Sequence, residues 1–242
     1  MKIYIKKNSK GEIASHNIYL AYEGFMDMGF EIIFYENIDE VTDNRKEDLI
    51  VGTIEDTRKT LSKFKIEVPE ICYPDELKAF LGRKVWKSKL SNIENDPSKW
   101  NIFIKPIEGK RFTGLVVKEF RDFIGLRNGE NDIDILCSET VNFVSEWRCF
   151  VRYGKILDVR RYRGDWRNYL NPKIVDKAIS EFISAPYGYG IDFGVTDKGE
   201  TLLIEVNEGY SLGSYGLQSI DYAKLLSARW AELTNSVDEC DF

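Results

Sequence analysis

IDFGVTDKGETLLIEVNEG, residues 191–209, decides how this chain is read. Apolar side chains alternate along two arms, and Asp197-Lys198-Gly199-Glu200 carries turn chemistry between them, so the stretch predicts a β-hairpin. A four-residue loop pairs Thr196 with Thr201. That register sets Asp192 opposite Glu205, with Asn207 two residues further along the same face. Ile191, Phe193 and Val195 point the other way with Leu202, Ile204 and Val206, and form the core side. Two facing carboxylates repel unless a cation or a proton intervenes, and hard oxygen donors of this kind suit Mg²⁺. A solvent-exposed hairpin with an ordinary polar face is the alternative at this point.

Upstream of the hairpin, Asn171-Pro172 opens a helix to about Ser184, with Pro172 at its first turn. Before it, VSEWRCFVRYGKILDVRRYRGD (144–165) reads as a second hairpin. Pairing Tyr153 with Ile156 across Gly154-Lys155 sets Arg148 opposite Arg161 and Glu146 opposite Arg163, all on one face. Three arginines and one glutamate on a strand face call for an anion to join them, and arginine's planar fork suits carboxylate or phosphate. A solvated face with some ion pairing is the other reading. IDILCSET (133–140) is a strand whose end, Ser138-Glu139, presents backbone groups at an edge. NIFIKP (101–106) and TGLVVKEF (113–120) are strands carrying Lys105 and Lys118 around a short polar loop with Gly109 and Gly114. Lysine is not favoured in a strand for packing alone, so this pair reads as a phosphate clamp or as an ordinary surface hairpin.

The first part of the chain names no chemistry. KIYIK (2–6), FEIIFY (30–35) and DLIVG (48–52) are expected strands, with helices over 14–28 and 55–64, making a small α/β lobe that ends near Pro69. His16 falls in the first turn of the first helix and is expected to be structural or solvent-facing. A short helix over 73–81 leads into the basic run Arg83, Lys84, Lys87 and Lys89, read as a solvated face. After the organising hairpin, GYSLGSYGL (209–217) is a Gly/Ser-rich loop, 218–233 is a closing amphipathic helix, and the acidic tail 237–242 is expected to fray.

Bulk properties exclude several classes. The chain has 242 residues and a net charge of -6, which argues against general nucleic-acid binding, although Arg148, Arg160, Arg161, Arg163 and Arg167 interleave with Trp147, Tyr162 and Trp166. Its four cysteines show no CxxC spacing and read as reduced thiols, and a single histidine leaves no basis for His-zinc sites or Ser-His triads. No signal peptide or long apolar run is apparent, so a compact cytoplasmic protein is expected.

Taken in order, a lysine strand, a small loop, a second lysine, a Ser-Glu strand end, an arginine hairpin and then Asp…Glu-x-Asn on a hairpin resemble the ATP-grasp fold. The resemblance covers roughly residues 70–235, and Glu-x-Asn before a Gly-rich loop is its most specific part. More narrowly, FIKP…RFTG, SEWRCFV, RYRGD, DFGV and EVNEGYSLGSYG look like a clade of small single-chain ATP-grasp proteins. The resemblance implies an α+β fold with two lobes gripping ATP, a small lobe over 71–138 and a large lobe over 139–242, preceded by an N-terminal α/β lobe over 1–70. It implies that Lys105 and Lys118 contact phosphates under a 106–114 lid, that backbone around Glu139, Thr140 and Val141 reads adenine, and that Glu146 holds the ribose. Asp192, Glu205 and Asn207 match Mg²⁺ ligands. Gly190 departs from the pattern, since ligases of this kind often carry an arginine there, and Arg148 with Arg161 would take over that task as catalytic groups beside Lys105. The implied activity is ATP- and Mg²⁺-dependent carboxylate–amine ligation through an acyl phosphate, on a peptide, protein or small amino acceptor. Phosphotransfer without ligation and a non-catalytic nucleotide- or peptide-binding module remain as alternatives. No membrane partner is implied, and nucleic acid is not expected.

Overall fold

The computed structural model describes residues 1–107, 111–127 and 132–242. The chain forms two compact units, one of residues 1–80 with 143–242 and the other of residues 81–142. The first 80 residues hold β1 (Lys2–Lys6), α1 (His16–Asp27), β2 (Glu31–Tyr35), β3 (Leu49–Val51) and α2 (Ile54–Lys63). The second unit holds β4 (Val85–Lys89), α3 (Leu90–Glu94), β5 (Ile102–Pro106), β6 (Leu115–Val117) and β7 (Asp134–Glu139). The chain then supplies β8 (Phe143–Arg152), β9 (Lys155–Gly164), α4 (Pro172–Glu181), β10 (Gly188–Thr196), β11 (Thr201–Glu208) and α5 (Ser219–Thr234) to the first unit.

The first unit contains two sheets. One is a parallel sheet in the order β2-β1-β3, and the other is antiparallel in the order β11-β10-β8-β9. Ile3, Ile5, Leu49, Phe25, Leu61, Leu225 and Phe150 belong to one buried cluster, so the N-terminal α/β segment shares its core with α5 and the antiparallel sheet. Close packing of α1 on α5 depends on Gly24, where an added Cβ would lie 2.1 Å from the Ser219 carbonyl oxygen. Likewise α5 crosses β10 at Gly188, where a Cβ would lie 2.3 Å from the Leu225 carbonyl oxygen. The second unit is one antiparallel sheet, β4-β7-β5-β6, whose inner face (Ile104, Ile135, Cys137 and Val117) packs with Leu90 and Ile93 of α3.

Three local expectations are corrected. The basic run of residues 83–89 contains a strand rather than a solvated face alone, because β4 pairs with β7 along its whole length. The strand expected over 113–120 is only Leu115–Val117, because Asp122 Oδ2 accepts from the backbone N–H groups of Lys118 and Glu119 and turns the chain into a 3₁₀ turn. The tail does not fray. Asp238 accepts from Arg152, Tyr153 and Ser227 at 2.8, 2.9 and 2.6 Å, and Cys240 is wholly buried. Among the described residues no helix is long and apolar enough to cross a membrane.

Candidate functional site

The β10–β11 hairpin has Asp192 opposite Glu205, as read from the sequence, but by a different route. Val195, not Thr196, pairs with Thr201, and a bulge at Ile204 restores the register before Glu205 is reached. The bulge also moves Leu203 into the core opposite Phe193, in place of Leu202 and Ile204, which are half-buried. The polar side of β10 is not a solvent face, since every residue of the strand is buried.

On that side the Asp192 carboxylate receives a two-pronged hydrogen bond from Arg148. Nε and Nη2 donate to Oδ1 and Oδ2, each at 2.7 Å. Asn207 Nδ2 donates to the same Oδ2 at 3.2 Å, and Arg148 Nη1 donates to the Gly213 carbonyl at 3.3 Å. Both charged side chains are almost fully buried. Burial pushes the Asp192 carboxyl above the usual carboxylate range against the pull of Arg148, and Glu205 and Glu146 push the same way. Burial works against the Arg148 cation, but Asp192 outweighs it and raises its pKa. Arg148 also lies 5.0 Å from the centroid of Tyr215, whose ring stacks on Tyr162 at 4.8 Å. Tyr215 and Ser211 hold left-handed backbone (φ 46° and 53°) in the 209–217 loop. The loop is pinned where Ser211 Oγ donates to the Gly52 carbonyl and Ser214 donates twice to Asn17 Oδ1.

The arginine hairpin is the main correction. Its turn is Tyr153-Gly154, both with positive φ (48° and 72°), as a two-residue turn matching the strand twist requires. Arg152 therefore pairs with Lys155, two positions away from the expected register, and bulges at Leu157 and Tyr162 recover one position each. By the far end Glu146 faces Arg163 as expected, with Arg163 Nη1 donating to Oε1 at 2.7 Å. In between, Arg148 faces Arg160 rather than Arg161. Arg161 pairs with Trp147 and donates to the Gly164 carbonyl, so it is not on the Asp192 side. Glu205 has one neighbour that no motif predicted: Cys72 Sγ at 3.9 Å, on a segment whose carbonyl accepts from Val206 N–H.

In the second unit, Lys105 sits on β5 opposite Leu136, and Lys87 on β4 is opposite the same Leu136 from the other side. The two lysines therefore share one row and one face, about 10 Å apart as twice the strand spacing. Lys118 follows β6 and stands about 13 Å along the strands from Lys105, four residues away. Lys87 was missed because a strand was not recognised in a run dominated by charge; the alternation Val85, Lys87, Lys89 was the available signal. Glu139 uses its own backbone, N–H to the Lys84 carbonyl and carbonyl from Ser138 Oγ, while Thr140 and Val141 make no backbone hydrogen bond among the described residues. The expected 106–114 lid lies partly outside the described residues.

Asp192, Glu205 and the Asn207 amide form a set of hard oxygen donors that fits Mg²⁺ in kind, with Arg148 holding both Asp192 oxygens. Among the described residues no three His, Cys, Asp or Glu side chains cluster as a metal site.

The chain carries an ATP-grasp domain. Residues 80–225 match the ATP-grasp domain, R2K clade family 2, and the chain belongs to that family. Solved structures share the fold at low identity. An L-amino acid ligase from Bacillus licheniformis aligns with TM-score 0.60 at 11% identity, covering all of this chain and 77% of its own. D-alanine–D-alanine ligase from Bacillus anthracis aligns at 0.57 and 12%, over 97% and 99%. The ATP-grasp ligase PsnB, complexed with minimal precursor, aligns at 0.53 and 13%, over 95% and 98%. No curated protein matches.

Proposed function

We propose that the protein is an ATP- and Mg²⁺-dependent carboxylate–amine ligase working through an acyl phosphate. The observation that carries this reading is the buried Arg148–Asp192–Asn207 cluster with Glu205 across the strand pair. A buried charge pair beside a second carboxylate is expensive as plain structure and useful where phosphate charge must be met. Asp192, Glu205 and Asn207 would hold Mg²⁺, which would neutralise phosphate oxygens during transfer. Lys105 would meet phosphate with Lys87 or Lys118 as the second lysine, the free backbone of Thr140 and Val141 would read the adenine edge, and Glu146 would take the ribose hydroxyls. Arg148, freed from part of its contact with Asp192, would stabilise the charge on the transferred phosphoryl group. The substrate carboxylate would then become an acyl phosphate, and an amine on a peptide, protein or small molecule would attack its carbonyl carbon, expelling phosphate. Among the solved structures of the same fold are an L-amino acid ligase, a D-alanine–D-alanine ligase and an ATP-grasp ligase complexed with precursor peptide, in keeping with this acceptor class. Free thiols throughout suit a cytoplasmic setting.

Calorimetry with a non-hydrolysable ATP analogue tests the reading. Binding to the wild type should require Mg²⁺ and be lost in Glu205→Ala; Mg²⁺-independent binding that survives this substitution would sink it. In turnover assays, Lys105→Ala and Asn207→Ala should each abolish ADP release. A requirement for an amine separates ligation from phosphotransfer.

A further inference from the structure

β9 carries charge opposite to that of the whole chain. Residues 155–167 contain five cations (Lys155, Arg160, Arg161, Arg163, Arg167) and two carboxylates (Asp158, Asp165), a local +3 in a chain of -6. The strand is ten residues long and closes one end of its sheet, paired with β8 alone. Among the described residues, none of its backbone groups bonds to another element on the outer side. The two bonds outside the ladder come from its own side chains: Val159 N–H donates to Asp158 Oδ1, and the Gly164 carbonyl accepts from Arg161. Arg161 has no carboxylate partner among the described residues, while Arg163 and Arg167 are about seven-tenths exposed despite their partners Glu146 and Asp165. Pairing puts Arg160 and Arg163 on one face of the strand and Arg161 on the other. Trp166 and Tyr169 stand exposed just beyond its end, with the Arg167 guanidinium 5.1 Å from a Trp166 ring.

An open edge offers alternating N–H and C=O groups to an incoming chain, and the charges flanking it select that chain's sign. We propose that the outer edge of β9 is a docking strand for an extended acidic polypeptide segment. The segment would add as a fifth strand, with carboxylates on both its faces meeting Arg160, Arg161, Arg163 and Arg167, and with Trp166 and Tyr169 covering apolar residues. A polypeptide fits better than nucleic acid because it satisfies the edge groups as well as the arginines, and because the chain outside residues 155–167 sums to a net negative charge. The inference concerns binding and does not depend on ligase turnover.

The test is fluorescence polarisation with a labelled peptide of glutamate pairs separated by single valine or threonine residues, which places glutamates on both faces of an extended strand, with no nucleotide present. The wild type should bind it and bind a lysine-for-glutamate version at least tenfold more weakly. The glutamate peptide N-methylated at alternate residues, which keeps the charges but removes edge donors, should also bind at least tenfold more weakly. The double variant Arg160→Glu/Arg167→Glu should lose the peptide while keeping the wild-type melting curve and affinity for the ATP analogue. Equal binding of the N-methylated peptide, no binding of the glutamate peptide, or tighter binding of a single-stranded oligonucleotide would each overturn the proposal. If the double variant fails to fold, the comparison of peptides on wild type still decides.

Discussion

Arg148 and Asp192 depend on one another more than either depends on the rest of the site. Arg148 lies over Gly190, where a Cβ would come 3.1 Å from its Cδ and 3.0 Å from Leu212 Cδ1, so the absence of a side chain at 190 makes the space that Arg148 fills. Arg148→Ala leaves a buried carboxylate without its cation and should cost about 3–5 kcal/mol of stability in urea denaturation. Arg148→Lys should recover only part of that loss, because an ammonium cannot supply two parallel donors in the geometry of the fork. Arg161 shows the limit of residue-level reading. Its position in the sequence promised a place beside Arg148, but the turn falls at Tyr153-Gly154, two positions out of the expected register, and the bulge at Leu157 recovers only one of them before Arg148 is reached.

At the scale of elements, packing overrides propensity on α1. Gly24→Ala on an isolated helix would gain about 1 kcal/mol. Here the new methyl meets the Ser219 carbonyl, and the substitution should instead cost about 1–3 kcal/mol, read from the shift in the denaturation midpoint. The start of α2 is held by a capping box in which Asp56 accepts from Thr53 N–H and Oγ1 and also from Lys6 Nζ at 2.9 and 2.8 Å. Burial opposes ionisation of Asp56, but these donors prevail and keep its carboxyl below the usual range. Its contribution is therefore present above the unfolded value near pH 4 and drains away as pH falls through the lower folded value. Wild type should lose stability below about pH 4, and Asp56→Asn, less stable at pH 7 by about 1–3 kcal/mol, should show a smaller acid loss in parallel melts at the two pH values.

For the whole molecule, the burial of three thiols can be counted. Cys137 and Cys240 are pushed up to about 11 and Cys149 to about 12, each chiefly by burial, while Cys72 is only partly covered. Titration with a thiol reagent at pH 8 should therefore label one cysteine rapidly in the native protein and four after denaturation. Fast labelling of two or more native thiols would contradict this burial. The sequence by itself determined the motif order that resembles the ATP-grasp class, the existence of the two hairpins and the N-terminal α/β segment, because hydrophobic alternation, turn residues and motif order are local properties. Tertiary structure decided the rest. It decided that β10 is buried on both faces, that the acidic tail docks through Asp238 and Cys240, and that Lys87 aligns with Lys105 across Leu136. Each of these depends on partners distant in sequence, and a register offset by one residue at a bulge reverses which side chains meet.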